Sequence, residues 1–179
     1  EVMKILNKNK GIQQYFQVTE LKLKPLNEKL PIFEKLLHNQ PSQGVIEEIF
    51  QQLMEHPYEQ ISDFLKKSMA TKNLKIRQEI AKTLPNIPQD FIPIYQTLFE
   101  DSSYITREIA LNMLFQNNPE NRINLLKKTK NWIGFNDKNL RITWLTMALI
   151  TKDFETQQKP NFYDELLNYS SNSFESGLR

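Results

Sequence analysis

The stretch Asp137–Thr151, DKNLRITWLTMALIT, decides the fold. Asp137 suits a helix N-cap, because its carboxylate accepts a hydrogen bond from the orphan N–H groups of a first turn. From Leu140 onward, Ile142, Trp144, Leu145, Met147, Ala148, Leu149 and Ile150 leave almost no polar side. A helix that is apolar all round is buried between neighbours or sits in lipid. A membrane span needs about 20 apolar residues in succession, and this run is shorter. The stretch therefore predicts a core helix covered on both sides by other helices, and no membrane span.

Similar segments precede it. KIRQEIAKTL, YITREIALNML and NLRITWLTMAL share an aliphatic residue, a large apolar residue four positions later, and then a small or apolar one. With Val45, Ile76, Ile105 and Leu140 as anchors, the spacings are 31 (76 − 45), 29 (105 − 76) and 35 (140 − 105). A partner helix fits beside each: Asn27 to about His38, Pro57–Ala70, Gln89–Phe99, Glu120–Trp132 and, after the central stretch, Asn161–Tyr169. Two helices per unit at a period of roughly 30–47 residues mark a helical solenoid. The expected fold is all-α: a right-handed α-solenoid of antiparallel helix pairs, HEAT/ARM-like, with about four to five repeats.

The repeats fall at about 26–56, 57–86, 87–118, 119–152 and an incomplete 153–179, in one domain over 1–179. The Trp, Leu-Gly and Tyr signature of tetratricopeptide repeats is missing. A capping Asn or Asp followed by aliphatic-Arg, as in Asn73…Ile76-Arg77 and Asp137…Leu140-Arg141, favours the HEAT kind. Residues 1–25 read as a lead-in. Val2 to Phe16 predicts one helix, or two broken near Gly11, and VTELKLKPLNEK predicts an extended or irregular connection because Leu21 and Leu23 alternate ahead of Pro25. Asn27, Asn73 and the Asp101–Ser103 segment are expected helix caps. Leu178-Arg179 repeats the anchor at a spacing of 38 (178 − 140), so the chain is expected to stop inside a further helix, with the array truncated at both ends.

Charge and composition narrow the function. The chain has 179 residues, 23 basic and 21 acidic, for a net charge of +2, too balanced for a nucleic-acid or anionic-membrane binder. The absence of Cys removes disulfides and thiol chemistry without fixing the compartment. The opening EVMKILNKNKG lacks the apolar run and small-residue site of a signal peptide. A soluble protein of the bacterial periplasm or cytoplasm is expected.

Nothing in the sequence assembles a catalytic, cofactor-binding or metal-ligating set. His38 and His56 are the two histidines, and Pro-Tyr-Glu follows His56 where H-E-x-x-H would need another pattern. The 4 Gly are scattered, so no phosphate loop forms. Glu47-Glu48 and Glu100-Asp101 read as solvated faces and caps. Lys127, Lys128 and Lys130 complement a helix C-terminus, and Trp132 is expected against the turn before Asp137. Trp144 belongs to the core rather than to a recognition platform. Arg77 and Arg141 hold matching positions and are expected to form a ladder of hydrogen bonds joining successive repeats.

The stretch DSSYITREIALNMLFQNNPENRINLLKKTKNWIGFNDKNLRITWLTMALIT resembles the C-terminal HEAT-like region of bacterial zinc aminopeptidases of the aminopeptidase-N-like gluzincin family, flavobacterial members above all. The similarity is clearest over Asp101–Tyr169 and is carried by helical repeats and connecting turns. It implies that zinc, H-E-x-x-H and its downstream Glu lie in an upstream catalytic domain of the same polypeptide, with none of those residues in this chain. It also implies a region that packs on that catalytic domain, limits access to the active-site chamber, and admits the peptide substrates of the parent hydrolase. The chain alone is then expected to be inert. The alternative is a HEAT-repeat scaffold for a protein partner, unrelated to a peptidase. A DNA-binding HEAT-like protein is disfavoured by the charge.

Overall fold

The computed structural model describes residues 2–84, 92–132 and 138–177, with side-chain surroundings left out at 2–8, 92–93, 95–96, 170 and 172–177. Every regular element among them is helical, ten α-helices with short 3-10 turns and no strand. The expected all-α class is what the chain adopts. Asp137, Gly134 and Leu178-Arg179, on which three expectations rest, lie outside the described residues.

The chain divides into two compact units, Glu1–Ile94 and Tyr95–Arg179. The first holds α1 (Val2–Glu20), α2 (Leu26–His38), α3 (Gln43–Leu53), α4 (Tyr58–Met69) and α5 (Leu74–Thr83). Within it α1 packs on α3, α3 on α5, and α4 on α5. The division falls inside α6 (Ile92–Phe99). The second unit continues with α7 (Tyr104–Asn117), α8 (Arg122–Thr129), α9 (Lys138–Ile150) and α10 (Lys159–Gly177). There α9 packs against α7, α8 and α10.

Several boundaries differ from expectation. α1 runs unbroken through Gly11 to Glu20, so Val18 is helical and fully buried rather than part of an extended connection. The chain then turns at 21–24, where the buried Lys29 donates from Nζ to the Lys22 carbonyl at 2.9 Å and Gln52 donates from Nε2 to the Val18 carbonyl at 2.8 Å. Gln52 thus adds to the Leu21 N–H at the Val18 carbonyl near the end of α1, and Lys29 takes up a carbonyl of the turn that follows. Asn27 lies inside α2, which starts after Pro25 with no side-chain cap. α10 continues to Gly177 instead of stopping near Tyr169.

The central stretch is a core helix along one side, but Ile150, expected to be covered, is 67% exposed. In α9, Leu140, Trp144, Leu145, Met147 and Ala148 are buried. Trp144 is fully enclosed, meets Phe154 and Phe162 edge to face at 5.9 and 5.3 Å, and donates from Nε1 to the Leu126 carbonyl at 3.1 Å. A large apolar ring with its one polar group satisfied is a favourable core residue.

The anchor chosen for α7 needs correction. Ile105 is 52% exposed, whereas Thr106 is fully buried. With Thr106 in its place, α3, α5, α7 and α9 share one buried frame at i, i+4, i+5 and i+8. It reads Val45/Ile49/Phe50/Leu53, Ile76/Ile80/Ala81/Leu84, Thr106/Ala110/Leu111/Leu114 and Leu140/Trp144/Leu145/Ala148. The spacings become 31 (76 − 45), 30 (106 − 76) and 34 (140 − 106).

Candidate functional site

Three arginines follow this frame at i+1: Arg77, Arg107 and Arg141. The turns before α5 and α7 are set by side chains. Asn73 accepts from the Lys75 N–H at 3.0 Å, Ser103 from Thr106 at 3.3 Å, and the Asp101 carboxylate from Ser103 at 2.8 Å. Each guanidinium then reaches back to a carbonyl of the preceding connection: Arg77 to Thr71 at 3.0 Å, Arg107 to Asp101, and Arg141 to Lys130 at 2.9 Å. The expected ladder between repeats is thus, for these bonds, a staple that fixes the helix to its own entry turn. Arg141 adds a link onward, donating to both oxygens of Glu165 on α10 at 2.8 and 3.0 Å. Aligning the segments on arginine instead of on the aliphatic anchor would have found Arg107 in the sequence.

The other residues weighed in the sequence fall in structural roles. His38 ends α2 and is exposed, and His56 is half-buried in the turn before Pro57. Among the described residues no three His, Cys, Asp or Glu groups are placed to hold a metal ion. Glu47 accepts from Gln43 and Glu48 from Gln52 along α3. Lys130 pairs with Glu155 at 2.7 Å, and Lys128 lies over the Phe99 ring at 5.6 Å. Trp132 meets Phe99 edge to face at 5.1 Å, which is where the structure places it; the turn expected to hold it lies outside the described residues.

Among the described residues, two concavities have mainly apolar walls, one in each unit. In the first, a cavity of about 260 Å³ is lined by Leu37, Phe64 and Ile76, with Glu34, Lys67 and His38 also on its wall. Glu34 pairs with Lys67, whose hydrogen bond and charge hold the Glu34 carboxyl below its ordinary range. In the second, a groove of about 420 Å³ runs between α7 and α9. Arg122 lines it, with its Nε–H bonded to the Phe115 carbonyl at 2.7 Å and its guanidinium 4.4 Å from the Phe115 ring centroid.

Glu79, on α5, is 8% exposed, and its Oε2 makes no hydrogen bond; Lys82 stands 3.6 Å away. Burial pushes its carboxyl up, Lys82 draws it down, and Glu47 on α3 adds to the rise.

No protein-family model, curated protein or solved structure matches the chain. No helix among the described residues is long and apolar enough to cross a membrane.

Proposed function

We propose that this chain is a non-catalytic helical-repeat module, a right-handed α-solenoid of the HEAT/armadillo kind, that works by packing against another protein domain. The observation that carries the reading is the shared buried frame of α3, α5, α7 and α9, with an arginine staple at the same position of three of them. A recurring helix whose neighbours complete its core is the unit from which such arrays are built. The resemblance over Asp101–Tyr169 names the partner: the catalytic domain of a zinc aminopeptidase on the same polypeptide, with this module limiting peptide access to the chamber.

Two experiments test it. The purified chain, with and without added zinc, should turn over no aminoacyl chromogenic substrate; activity that copurifies with the chain overturns the non-catalytic reading. The natural reading frame should encode H-E-x-x-H and a downstream Glu ahead of these residues. A frame without that motif overturns the aminopeptidase assignment and leaves a scaffold for a separate partner, which the open groove between α7 and α9 independently favours.

A further inference from the structure

The geometry points to the α7–α9 groove as a docking site for an acidic, otherwise apolar segment of a protein partner, its side-chain carboxylate received by Arg122. The inference rests on the reading of the chain as a docking module and names the chemistry of what docks. Arg122 differs from Arg141 in one respect. Arg141 spends its guanidinium on Glu165. Arg122 is held by the Phe115 carbonyl and the Phe115 ring, and among the described residues no carboxylate reaches it. Its Nε is occupied, and its two terminal nitrogens make no hydrogen bond to the described residues, which leaves a two-pronged donor on the groove wall. A planar fork of fixed orientation suits a carboxylate, and fixing it beforehand lowers the entropy cost of binding.

The rest of the groove tells what surrounds that carboxylate. Ile142, Met147 and Ile150 of α9 line it, and Ile150 is 67% exposed, so an apolar side chain gains by covering them. Asn112 and Gln116, one turn apart on α7, offer neutral amides able to bond a peptide backbone in either sense. Glu108 accepts from Thr143 of this wall at 3.0 Å. It lies seven residues before Phe115, about 10 Å along the helix at the usual rise, and so marks the end of α7 away from Arg122. The groove is polarised, positive at one end, and an acidic side chain is complementary there.

The test uses the whole chain and short peptides, acetylated and amidated at their ends, each carrying one Glu flanked by Leu and Ile in a Gly-Ser background. Titration is followed by amide chemical shifts at low salt. The Glu peptide should bind roughly tenfold more tightly than its Gln counterpart, the ratio one charge-assisted pair supplies. Its shifts should centre on Asn112, Gln116 and Ile150. Arg122→Gln should abolish the ratio. Because Arg122 also ties the end of α7, Asn112→Asp and Ile150→Asp serve as variants that leave that tie in place, and both should weaken the Glu peptide. Equal binding of Glu and Gln peptides, shifts centred elsewhere, no binding at millimolar peptide, or binding that requires a free terminal carboxylate each overturns the proposal. None of these outcomes bears on zinc-dependent turnover or on the upstream reading frame, so the two proposals fail separately.

Discussion

Arg141 and Glu165 are joined by two parallel hydrogen bonds, 2.8 and 3.0 Å, while the same guanidinium lies 4.7 Å from the centroid of Trp144. One side chain thereby ties α9 to α10, to the Lys130 carbonyl and to the most enclosed ring of the second unit.

That arrangement makes Arg141–Glu165 more than an exposed ion pair. The Arg141 side chain is only 13% accessible, so solvent screens it little, and losing its partner leaves a largely buried charge without its carboxylate. Glu165→Gln should cost about 1–2 kcal/mol, within the range for hydrogen bonds to charged groups. Urea unfolding of the single variants and of the Arg141→Met/Glu165→Gln double variant gives the coupling. A coupling below about 0.3 kcal/mol would place the pair with ordinary surface salt bridges.

Trp144 is the next element of the same cluster. Trp144→Ala should lose about 3–5 kcal/mol, because Phe154, Phe162 and Leu145 are left around a cavity. Trp144→Phe keeps most of the apolar contact but loses the donor to the Leu126 carbonyl, and should cost about 1–2 kcal/mol. A loss below about 1 kcal/mol for the alanine variant, read from the urea midpoint, would contradict the enclosed position.

The helices were legible because their signal is periodic. A stripe at three and four residues needs nothing beyond the sequence, and it locates α3, α4, α5, α7 and α9 within a few residues. The frame within α7 was not legible. Tyr104-Ile105-Thr106 offers an aliphatic residue beside a hydroxyl, and hydrophobicity alone selects Ile105. The fold buries Thr106, whose methyl packs and whose backbone N–H is taken by the Ser103 cap, and leaves Ile105 52% exposed. Cap geometry outweighed the preference of one side chain. Arg122 was illegible for a different reason: its meaning depends on Phe115 and on a groove shared with α9, neither of which is local in sequence.

Thr106 carries a testable cost of that choice. Its Oγ1 is buried with no hydrogen-bond partner. An unsatisfied buried hydroxyl costs about 1–3 kcal/mol, whereas an apolar group of the same shape does not. Thr106→Val should therefore stabilise the chain, by about 1 kcal/mol after the altered packing is counted. Thermal unfolding checks it, and a lowered midpoint would mean that the hydroxyl has a partner in solution.

Glu79 provides the pH-dependent case. Its carboxyl is raised above the ordinary 4.5, chiefly by burial, with Glu47 adding to the rise against Lys82. A raised folded-state pKa means that the folded chain binds the proton more tightly than the unfolded chain does. The stabilisation is therefore fully present below pH 4.5 and is lost as pH rises through the folded-state value. Glu79→Gln removes this titration, so its stability relative to the parent chain should increase with pH and level off near neutrality, where the parent must hold a buried ionised carboxylate. Glu47→Gln should give a smaller change of the same sign, since it removes only the neighbouring charge. Urea midpoints at intervals from pH 4 to pH 8 measure the difference directly, and subtracting the parent's curve cancels titrations common to both chains. A difference that stays flat with pH, or that falls toward neutrality, would show that Lys82 and solvent together let Glu79 ionise without penalty.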